Sequence, residues 1–389
     1  MKNSRSELDG HATTEGTARF ASRVLGKGKI PKGHFRRVEG SGLTLTSLGM
    51  GTYLGEADEG TNHAVEEAAL LSLRSGAINV LDTAINYRHQ RAERSLGRAL
   101  AQAVGAKLVA RDEVFLSTKN GYLAPDSESG LSPRAYVQQE LIGTRALAPT
   151  DIVGGSHAMS VPFLRDQLAR SLNNLGVATV DLLYLHNPGE AQLEEVGRKA
   201  FFERLRSAFE FYEEARRKGR LVSYGLATWD SFRMGRTDPG YLSLEEVAGL
   251  AQEVGGTEHG FRFVQFPLNL MMTEAYQLRN QLVRGERSTL LQAAHALRIA
   301  TFSSVPLLQG QLTHGGVVLP GLSPAQSALQ FARSAPYHLA PLVGQKDRAH
   351  LEENLRVAEF PPLGEKDFSR MIDDEASGGP GPRQARGTS

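Results

Sequence analysis

Eight apolar, strand-like runs alternate with helix-like segments along most of the chain, and this alternation restricts the fold more than any other feature. The candidate strands end near eight positions: Gly51, Ala84, Lys119, His186, Trp229, Leu270, Leu307 and Gly344. Segments between them, such as Val161–Leu175 and 200–218, carry apolar residues at helical spacing. Strands that alternate with helices in this way form parallel sheets covered by helices. The sequence therefore predicts an α/β protein with the architecture of a (β/α)8 TIM barrel.

The segments that flank this pattern predict how the chain is divided. Two short runs, 35–38 and 43–46, stand on either side of a Gly-Ser-Gly turn and predict a β-hairpin that closes the bottom of the barrel. Residues 1–32 are polar and rich in Gly, Ser and Thr, and 363–389 have the same character, so we expect flexible segments there. A single barrel domain is expected over 33–362.

A long connection follows the third strand, over 121–160, and is rich in Gly, Pro and Ser in parts. Within it, 133–142 is a candidate helical segment. Long connections at the C-terminal face of a barrel shape the substrate pocket, and the same is expected of 229–240 and 268–285. His157 is a candidate for lining that pocket.

Composition excludes several classes of function. The 389 residues carry a net charge of +1, which gives no reason to expect nucleic acid or an anionic membrane as partner. The absence of cysteine excludes disulfides, thiolate catalysis and cysteine metal sites. No apolar stretch is long enough to span a bilayer, and the N-terminus lacks the apolar core of a signal peptide. We expect a cytoplasmic protein, a monomer or small homo-oligomer, that acts on a small molecule.

Four polar side chains lie where apolar strand-like runs end or shortly after. Asp82 and Tyr87 follow the second run, Lys119 ends the third, and His186 ends the fourth. A titratable residue at the C-terminal end of a barrel strand is usually placed there for chemistry, because the interior of the strand would reject it. Neighbouring strand ends can bring all four side chains within hydrogen-bonding reach.

These four groups are the tools needed to move a proton to a carbonyl oxygen. The Tyr87 hydroxyl would act as general acid, and Lys119 would stabilise the phenolate that it leaves. Asp82 would hold the ammonium in place and keep it charged. His186 would hydrogen-bond the carbonyl oxygen and fix its orientation. No metal ligand is expected in this set.

Each residue also has a structural interpretation when it is taken alone. Asp82 could cap a turn, Tyr87 could be a packed surface aromatic, and His186 could be a satisfied interior histidine. The coincidence of four such residues on three successive strand ends favours the functional interpretation. A metal-dependent amidohydrolase and a glycosidase are disfavoured, because the first needs paired histidines on the first strand and the second needs carboxylates on separated strand ends.

Three segments around these residues form a specific pattern. They are Leu81-Asp-Thr-Ala-Ile-Asn-Tyr with Glu93 and Leu96-Gly97 after it, Ser117-Thr-Lys119, and Asp181-Leu-Leu-Tyr-Leu-His186-Asn-Pro. Over roughly 35–360 the chain resembles the aldo-keto reductase family. The resemblance implies that Tyr87 is the general acid/base, with Asp82, Lys119 and His186 tuning it. It also implies a dinucleotide bound across the C-terminal face of the barrel.

The last strand-to-helix connection carries the signal for the cofactor. Gly344 would let the backbone approach a phosphate, and the helix start after it would offer free N–H groups. The segment is similar to the family's site for the adenosine phosphate, with Lys346 and His350 at contacting positions and Glu353 and Asn354 near adenine. Basic groups here favour NADPH, with NADH also possible.

The resemblance places six further residues on the cofactor: Gly51, Thr52, Thr228, Gln265, Leu307 and Gly310. Two departures stand out. Thr228 follows Ala227 where the family usually has Ser-Asn, and the family's aromatic platform for the nicotinamide is absent unless Phe302 or Trp229 replaces it.

The sequence thus predicts an NADP(H)-dependent oxidoreductase that interconverts a carbonyl compound and an alcohol. Arg88 stands where relatives often have glycine, and with Arg91 it could attract an anionic substrate or simply be a solvated arginine at a helix start. The alternative function is a cofactor-sensing or partner-binding barrel with slow or no turnover, which the missing platform and the long connection would support.

Overall fold

The computed structural model describes residues 7–377. Its strands are β1 (Phe35–Arg37), β2 (Thr44–Thr46), β3 (Gly49–Gly51), β4 (Val80–Asp82), β5 (Phe115–Asn120), β6 (Val180–His186), β7 (Leu221–Ala227), β8 (Phe261–Pro267), β9 (Gln281–Val283), β10 (Glu286–Ser288), β11 (Ala300–Ser304) and β12 (Ala340–Gly344). Its α-helices are α1 (Thr14–Leu25), α2 (Glu59–Ser75), α3 (Arg91–Gly105), α4 (Pro133–Tyr136), α5 (Val161–Leu175), α6 (Glu194–Val196), α7 (Arg198–Arg217), α8 (Leu244–Gly255), α9 (Glu274–Gln277), α10 (Leu290–Ala296), α11 (Pro324–Ser334), α12 (Arg348–Leu355) and α13 (Glu365–Ser377).

Eight parallel strands close into a barrel in the order β3-β4-β5-β6-β7-β8-β11-β12, with β12 returning to β3. The predicted TIM barrel is therefore confirmed, and the strand ends lie within three residues of the predicted ones. The register pairs Asp82 with Ser117 and Lys119 with Tyr184. Because all eight strands are parallel, their carboxyl ends meet at one face, which carries the candidate site.

The inside of the barrel is filled by large apolar side chains. Phe263 stacks on Phe302 with their centroids 5.9 Å apart, and both pack near Phe115. Leu45 of the β1–β2 hairpin belongs to the same buried cluster, together with Leu43 before it. The predicted hairpin is thus present, and it closes the amino-terminal end of the barrel.

The expectation of a flexible segment at 1–32 is wrong for residues 7–32. Helix α1 begins after Thr13, whose hydroxyl accepts a hydrogen bond from the Gly16 N–H, and Phe20 is fully buried. The backbone N–H of Ala12 donates to the buried carboxylate of Asp181 at 2.5 Å. The sequence signal for this helix is a stripe of only three apolar residues, Phe20, Ala21 and Val24, within a polar stretch. Residues 1–6 lie outside the described residues.

The C-terminal expectation is corrected in the same way. Helix α13 buries Phe368, whose ring stacks on Phe331 of α11 with centroids 4.7 Å apart. The ordered barrel therefore extends beyond 362, because this amphipathic helix covers apolar surface that the barrel helices leave open. Residues 378–389 lie outside the described residues.

The long connection over 121–160 is folded. The predicted helical segment is confirmed as α4 followed by a π-helical turn at Val137–Ile142. Tyr136, Leu141 and Leu147 form a separate buried apolar cluster with Phe163 of α5. This cluster fixes the connection on the outside of the barrel and holds its two ends beside the candidate site. Within residues 7–377, no helix is long and apolar enough to cross a membrane.

Candidate active site

A buried ion pair forms the floor of the site at the carboxyl ends of β4 and β5. The Lys119 Nζ donates to Asp82 Oδ2 at 2.5 Å and to the Thr83 carbonyl at 2.9 Å. The other oxygen of Asp82 accepts from Ser117 Oγ at 2.6 Å and from Gln265 Nε2 at 3.3 Å. Burial alone would lower the pKa of Lys119, but Asp82 and Tyr87 together hold that pKa above its ordinary value. The lysine is therefore an ammonium at neutral pH.

Tyr87 lies above this pair, in the turn between β4 and α3. The Lys119 Nζ is 4.8 Å from the centroid of the Tyr87 ring. Burial raises the pKa of the Tyr87 hydroxyl, and the neighbouring ammonium only partly offsets that effect. The phenol is therefore protonated at neutral pH, which is the state that a proton donor needs.

His186 faces Tyr87 from the end of β6. The two rings meet edge to face, with their centroids 5.8 Å apart. Burial, reinforced by Lys119 and His157, lowers the pKa of His186 well below its ordinary value, so the imidazole is neutral. Its Nδ1 is buried and has no hydrogen-bond partner among the described residues. The structure thus brings all four predicted side chains to one place, as a neutral phenol, an ammonium, a carboxylate and a neutral imidazole.

The turn that presents Tyr87 is strained. Arg88, His89 and Gln90 follow it with φ values of 49°, 53° and 71°, a left-handed run that non-glycine residues rarely adopt. Contacts on both sides hold the run. Gln90 Nε2 donates to the Ala124 carbonyl at 2.8 Å and to the Tyr136 hydroxyl at 3.1 Å. The position of Tyr87 is therefore determined partly by the long connection that carries these two acceptors.

The two arginines near Tyr87 are occupied by other partners. Arg88 is buried and donates to Asn62 Oδ1 at 2.8 Å. Arg91 forms an ion pair with Glu59 at 2.6 Å. Both guanidinium groups are thus engaged by protein partners, and Arg88 is not the solvated arginine that was the alternative expectation.

Aromatic rings surround the opening above Tyr87 and His186. Tyr53 meets the Tyr87 ring at a centroid distance of 5.0 Å, and Tyr122 meets the His186 ring at 5.1 Å. The latter two rings are perpendicular. Sequence reasoning missed both tyrosines, because residues in irregular connections carry no periodic signal.

The connection after β7 is held by a carboxylate that the sequence did not single out. One oxygen of Glu190 accepts hydrogen bonds from the backbone N–H groups of Trp229, Asp230 and Ser231, at 2.8, 2.7 and 2.8 Å. Three converging N–H groups form an anion-binding nest. Glu190 thereby fixes Trp229, which is 39% exposed, beside the end of the strand.

Four of the predicted cofactor residues lie at the carboxyl ends of their strands. Gly51 ends β3, and the Thr52 hydroxyl donates to the Asp82 carbonyl at 3.1 Å. Thr228 follows β7, and its N–H donates to the Gln265 carbonyl at 2.8 Å. The Thr228 hydroxyl is buried without a partner among the described residues, so it is available to a ligand at that position.

Leu307 directly precedes a short 3-10 segment after β11, Leu308–Thr313, and Gly310 lies within it. Leu308, Gln309 and Gly310 have φ values of 46°, 53° and 92°, so this connection is another strained backbone segment at the barrel face. Phe302 is buried among the rings inside the barrel and cannot serve as a platform for a ligand. Trp229 stays available for that role.

The connection after β12 places Gly344 and Lys346 against the connection after β3. A Cβ on Gly344 would come within 3.0 Å of Leu54, and a Cβ on Gly55 would lie 3.4 Å from Cδ of Lys346. These contacts show that the two connections pack closely against each other at this edge of the barrel face.

One feature of this segment differs from the prediction. The start of α12 is not free, because Asp347 caps it and accepts from the His350 N–H at 2.9 Å. An aspartate in this position is a common helix cap, and it occupies an N–H group that was expected to meet the ligand. The His350 side chain is exposed, Glu353 is partly exposed and Asn354 is buried, with its Oδ1 unpartnered among the described residues.

Ser117 is a further residue of the site that could have been found from the sequence. It lies two positions before Lys119 on β5, so both side chains point to the same side of the strand. His157, in contrast, does not line an open pocket, because it is fully buried. No group of three or more histidine, aspartate or glutamate side chains in the described part of the chain could hold a metal ion.

The comparison with known families agrees with the barrel fold. The family model described as the aldo/keto reductase family matches residues 47–247, a little over half of the chain. The chain therefore belongs to the aldo-keto reductase family, a family of NAD(P)H-dependent oxidoreductases that act on carbonyl compounds. The predicted family and enzyme class are confirmed. No curated protein matches the sequence.

Solved structures with the same fold share little sequence with the chain. A holo-form aldo-keto reductase from Bacillus halodurans has 16% identity and a TM-score of 0.59, over 88% of this chain and 96% of its own. A glycerol dehydrogenase from Gluconobacter oxydans has the same identity and TM-score, over 92% of this chain and 100% of its own. An aldo-keto reductase from Klebsiella pneumoniae in complex with NADPH has 16% identity and a TM-score of 0.55, over 89% of this chain and 95% of its own.

Proposed function

We propose that this protein is an NADP(H)-dependent reductase of a small aldehyde or ketone, with Tyr87 as general acid in reduction and general base in the reverse reaction. The observation that carries the proposal is the position of the Lys119 ammonium, 2.5 Å from Asp82 and 4.8 Å from the centre of the Tyr87 ring. A cation in that place favours the phenolate that proton transfer would leave behind.

Each of the four side chains has a separate task in this proposal. Tyr87 gives its proton to the carbonyl oxygen, and Lys119 stabilises the resulting phenolate. Asp82 holds the ammonium and keeps it charged. His186, which is neutral, donates a hydrogen bond to the same oxygen and orients it. A bound nicotinamide dinucleotide supplies the hydride.

The residues around the barrel face fit such a dinucleotide. The Thr228 hydroxyl, which has no partner within residues 7–377, and the Gln265 amide would hold the carboxamide. Gly51 with Thr52 would line the nicotinamide end. Leu307 and Gly310 would border the pyrophosphate. Lys346 would meet the 2′-phosphate that distinguishes NADPH from NADH, with Gly344, His350, Glu353 and Asn354 around the adenosine.

The preference for NADPH has two supports. Lys346 is a cation beside the proposed phosphate position, and the Klebsiella relative of similar fold was solved in complex with NADPH. Asp347 counts against a strong preference, because its carboxylate lies next to the same position. The cytoplasmic location, the absence of nucleic-acid partners and the monomer or small homo-oligomer stay predictions.

The test is an NADPH-oxidation assay against a panel of aldehydes and ketones, with the Tyr87→Phe variant beside the wild type. We expect turnover that Tyr87→Phe lowers by about 10²–10⁴-fold while NADPH still binds. Tyr53→Phe is the matched control, because it removes a phenol hydroxyl at the same opening from a ring that packs on Tyr87. Tight binding of NADPH without turnover of any substrate would favour the alternative, a cofactor-sensing barrel.

A further inference from the structure

We infer that His157 is a positioning residue for His186, which acts through the backbone rather than through the substrate. The inference rests on the proposed function, in which His186 orients the carbonyl oxygen. His157 comes from the long connection after β5, whereas His186 ends β6, so the contact joins two separate parts of the barrel face.

The contact is a hydrogen bond from the His157 imidazole to the main chain of His186. The His157 Nε2 lies 2.9 Å from the His186 carbonyl oxygen. On the other side of the ring, Nδ1 lies 2.9 Å from Gln192 Nε2. The Oε1 of Gln192 in turn accepts from Arg204 Nη1 at 2.8 Å. A chain of four side and main-chain groups thus runs from α7 to the end of β6.

The direction of every hydrogen bond in this chain is fixed by Arg204. A guanidinium can only donate, so the oxygen of the Gln192 amide must face it. The amide nitrogen of Gln192 must then donate to Nδ1 of His157, which leaves the imidazole proton on Nε2. That N–H points to the His186 carbonyl, and full burial keeps the pKa of His157 at about 4, so the ring stays neutral.

The local backbone is adapted to this contact. A Cβ on Gly121 would lie 2.6 Å from His157 Nε2, so a side chain at 121 would displace the imidazole. Asn187, immediately after His186, has a left-handed φ of 46°. A left-handed residue that is not glycine persists only where its neighbours hold it. The bond from His157 is one of the contacts that fix the strand end at this point.

The rings also pack in series. Tyr122 meets the His157 ring at a centroid distance of 5.0 Å and the His186 ring at 5.1 Å, perpendicular in both cases. Loss of the His157 imidazole would therefore free the His186 carbonyl and remove one wall of Tyr122. The His186 side chain would then lose its fixed direction toward Tyr87.

His34 provides a matched control at the opposite end of the barrel. It is also a fully buried histidine, with Nε2 2.8 Å from the Ala77 carbonyl and Nδ1 3.0 Å from Ser47 Oγ. Burial lowers its pKa to about 3. It has the same type of contacts as His157, but it lies beneath the barrel and away from the candidate site.

The experiment compares His157→Leu, His157→Gln and His34→Leu in steady-state kinetics and in the NMR signals of the His186 imidazole. We expect His157→Leu to lower kcat by about 100-fold, the usual effect of a misplacement of about 1 Å. NADPH affinity should stay within about twofold, since the cofactor residues are elsewhere. His157→Gln, whose amide nitrogen can replace the Nε2 donor to the His186 carbonyl, should recover most of the loss. His34→Leu should lower the unfolding midpoint and leave kcat unchanged.

Each other result also decides the question. A wild-type kcat in His157→Leu, or an equal loss in His34→Leu, would overturn the inference. If His157→Leu does not fold, Gln192→Leu decides, because it removes the group that fixes the tautomer and leaves the His157 ring in place. An unchanged kcat in that variant would overturn the inference. If the wild type reduces no carbonyl compound, the proposed function fails, and the NMR signals of the His186 imidazole then decide the positioning role. A change of these signals in His157→Leu but not in His34→Leu supports that role. Unchanged signals in His157→Leu overturn it.

Discussion

Lys119 and Asp82 form a buried ion pair in which Nζ lies 2.5 Å from Oδ2. Neither carboxylate oxygen is left without a donor, because Ser117 and Gln265 bond the second one. A buried pair that is fully hydrogen-bonded holds its geometry, but it becomes costly when one partner is removed. The same pair therefore links the stability of the barrel to its proposed chemistry.

Removal of the Lys119 ammonium should lower both the stability of the barrel and its turnover. We expect Lys119→Met to lower the free energy of unfolding by about 3–5 kcal/mol, since it leaves the Asp82 carboxylate buried and unpaired. Turnover should be lost as well. The double variant with Asp82→Asn should recover part of the stability but no turnover. Chemical denaturation and the NADPH-oxidation assay measure the two effects, and recovered turnover in the double variant would contradict the role of Lys119.

The pH dependence of reduction should follow the Tyr87 hydroxyl. Burial raises the pKa of this group above its ordinary value of about 10, so it stays protonated through the neutral and mildly alkaline range. Since reduction needs the protonated form, kcat/KM should be flat from about pH 7 to pH 9 and fall only above about pH 10. A fall centred near pH 8 would mean that Lys119 outweighs the burial of the phenol.

Lys346 should determine the choice between the two dinucleotides. We expect Lys346→Ala to weaken NADPH binding by about tenfold or more, the usual loss when a hydrogen bond to a charged group is removed. NADH binding should change by less than about twofold. Trp229 is the only tryptophan of the chain, so its fluorescence can report both titrations. Arg348→Ala is the control, because Arg348 is exposed and pairs with Glu352 at 3.0 Å. Equal losses for both dinucleotides would contradict the proposed phosphate contact.

The left-handed turn after Tyr87 should reverse the usual ranking of alanine and glycine. His89 has a φ of 53° and an exposed side chain that makes no hydrogen bond to the part of the chain that the structure describes. In this conformation a Cβ costs about 1–2 kcal/mol, whereas glycine carries no such cost. His89→Gly should therefore be more stable than His89→Ala by about 1 kcal/mol in denaturant unfolding. The opposite order would mean that the turn is not left-handed in solution.

Helix α3 should tolerate an added methyl group at Gly105 but not at Gly97, where it packs on α5. A Cβ on Gly97 would lie 2.5 Å from the Leu175 carbonyl oxygen, whereas one on Gly105, in the same helix, would meet nothing within 4 Å. Gly97→Ala should lower the unfolding midpoint because the two helices must separate. Gly105→Ala should leave it unchanged or raise it, since alanine favours helix by about 1 kcal/mol over glycine. Similar midpoints would show that the helices are not in close contact at Gly97.

The barrel and the four side chains of the proposed active site were predictable because their signals are local. Asp82, Lys119 and His186 end apolar runs, and parallel strands bring such ends together. The left-handed run at 88–90 was not predictable, since its side chains favour no such conformation and distant acceptors hold it. The nest around Glu190 was not predictable for the same reason, because its three N–H donors come from another connection.

Two other features of the structure have a signal in the sequence, but we interpreted that signal wrongly. The aspartate at 347 directly before a helix is an ordinary capping signal, and it occupies an N–H that we assigned to the ligand. Helix α1 shows helical spacing of Phe20, Ala21 and Val24, but the polar residues around them obscured it. Terminal segments are judged mainly by composition, and composition does not reveal a single buried stripe.

Helices α1 and α13 have a practical consequence for anyone who trims this chain. A version that spans only 33–362 would keep all eight βα units but would lack Phe20 and Phe368. The apolar surface that these side chains cover would then be exposed, and the Asp181 carboxylate would lose its Ala12 partner. Such a fragment would be prone to aggregation. The smallest workable unit is thus larger than the repeat count implies.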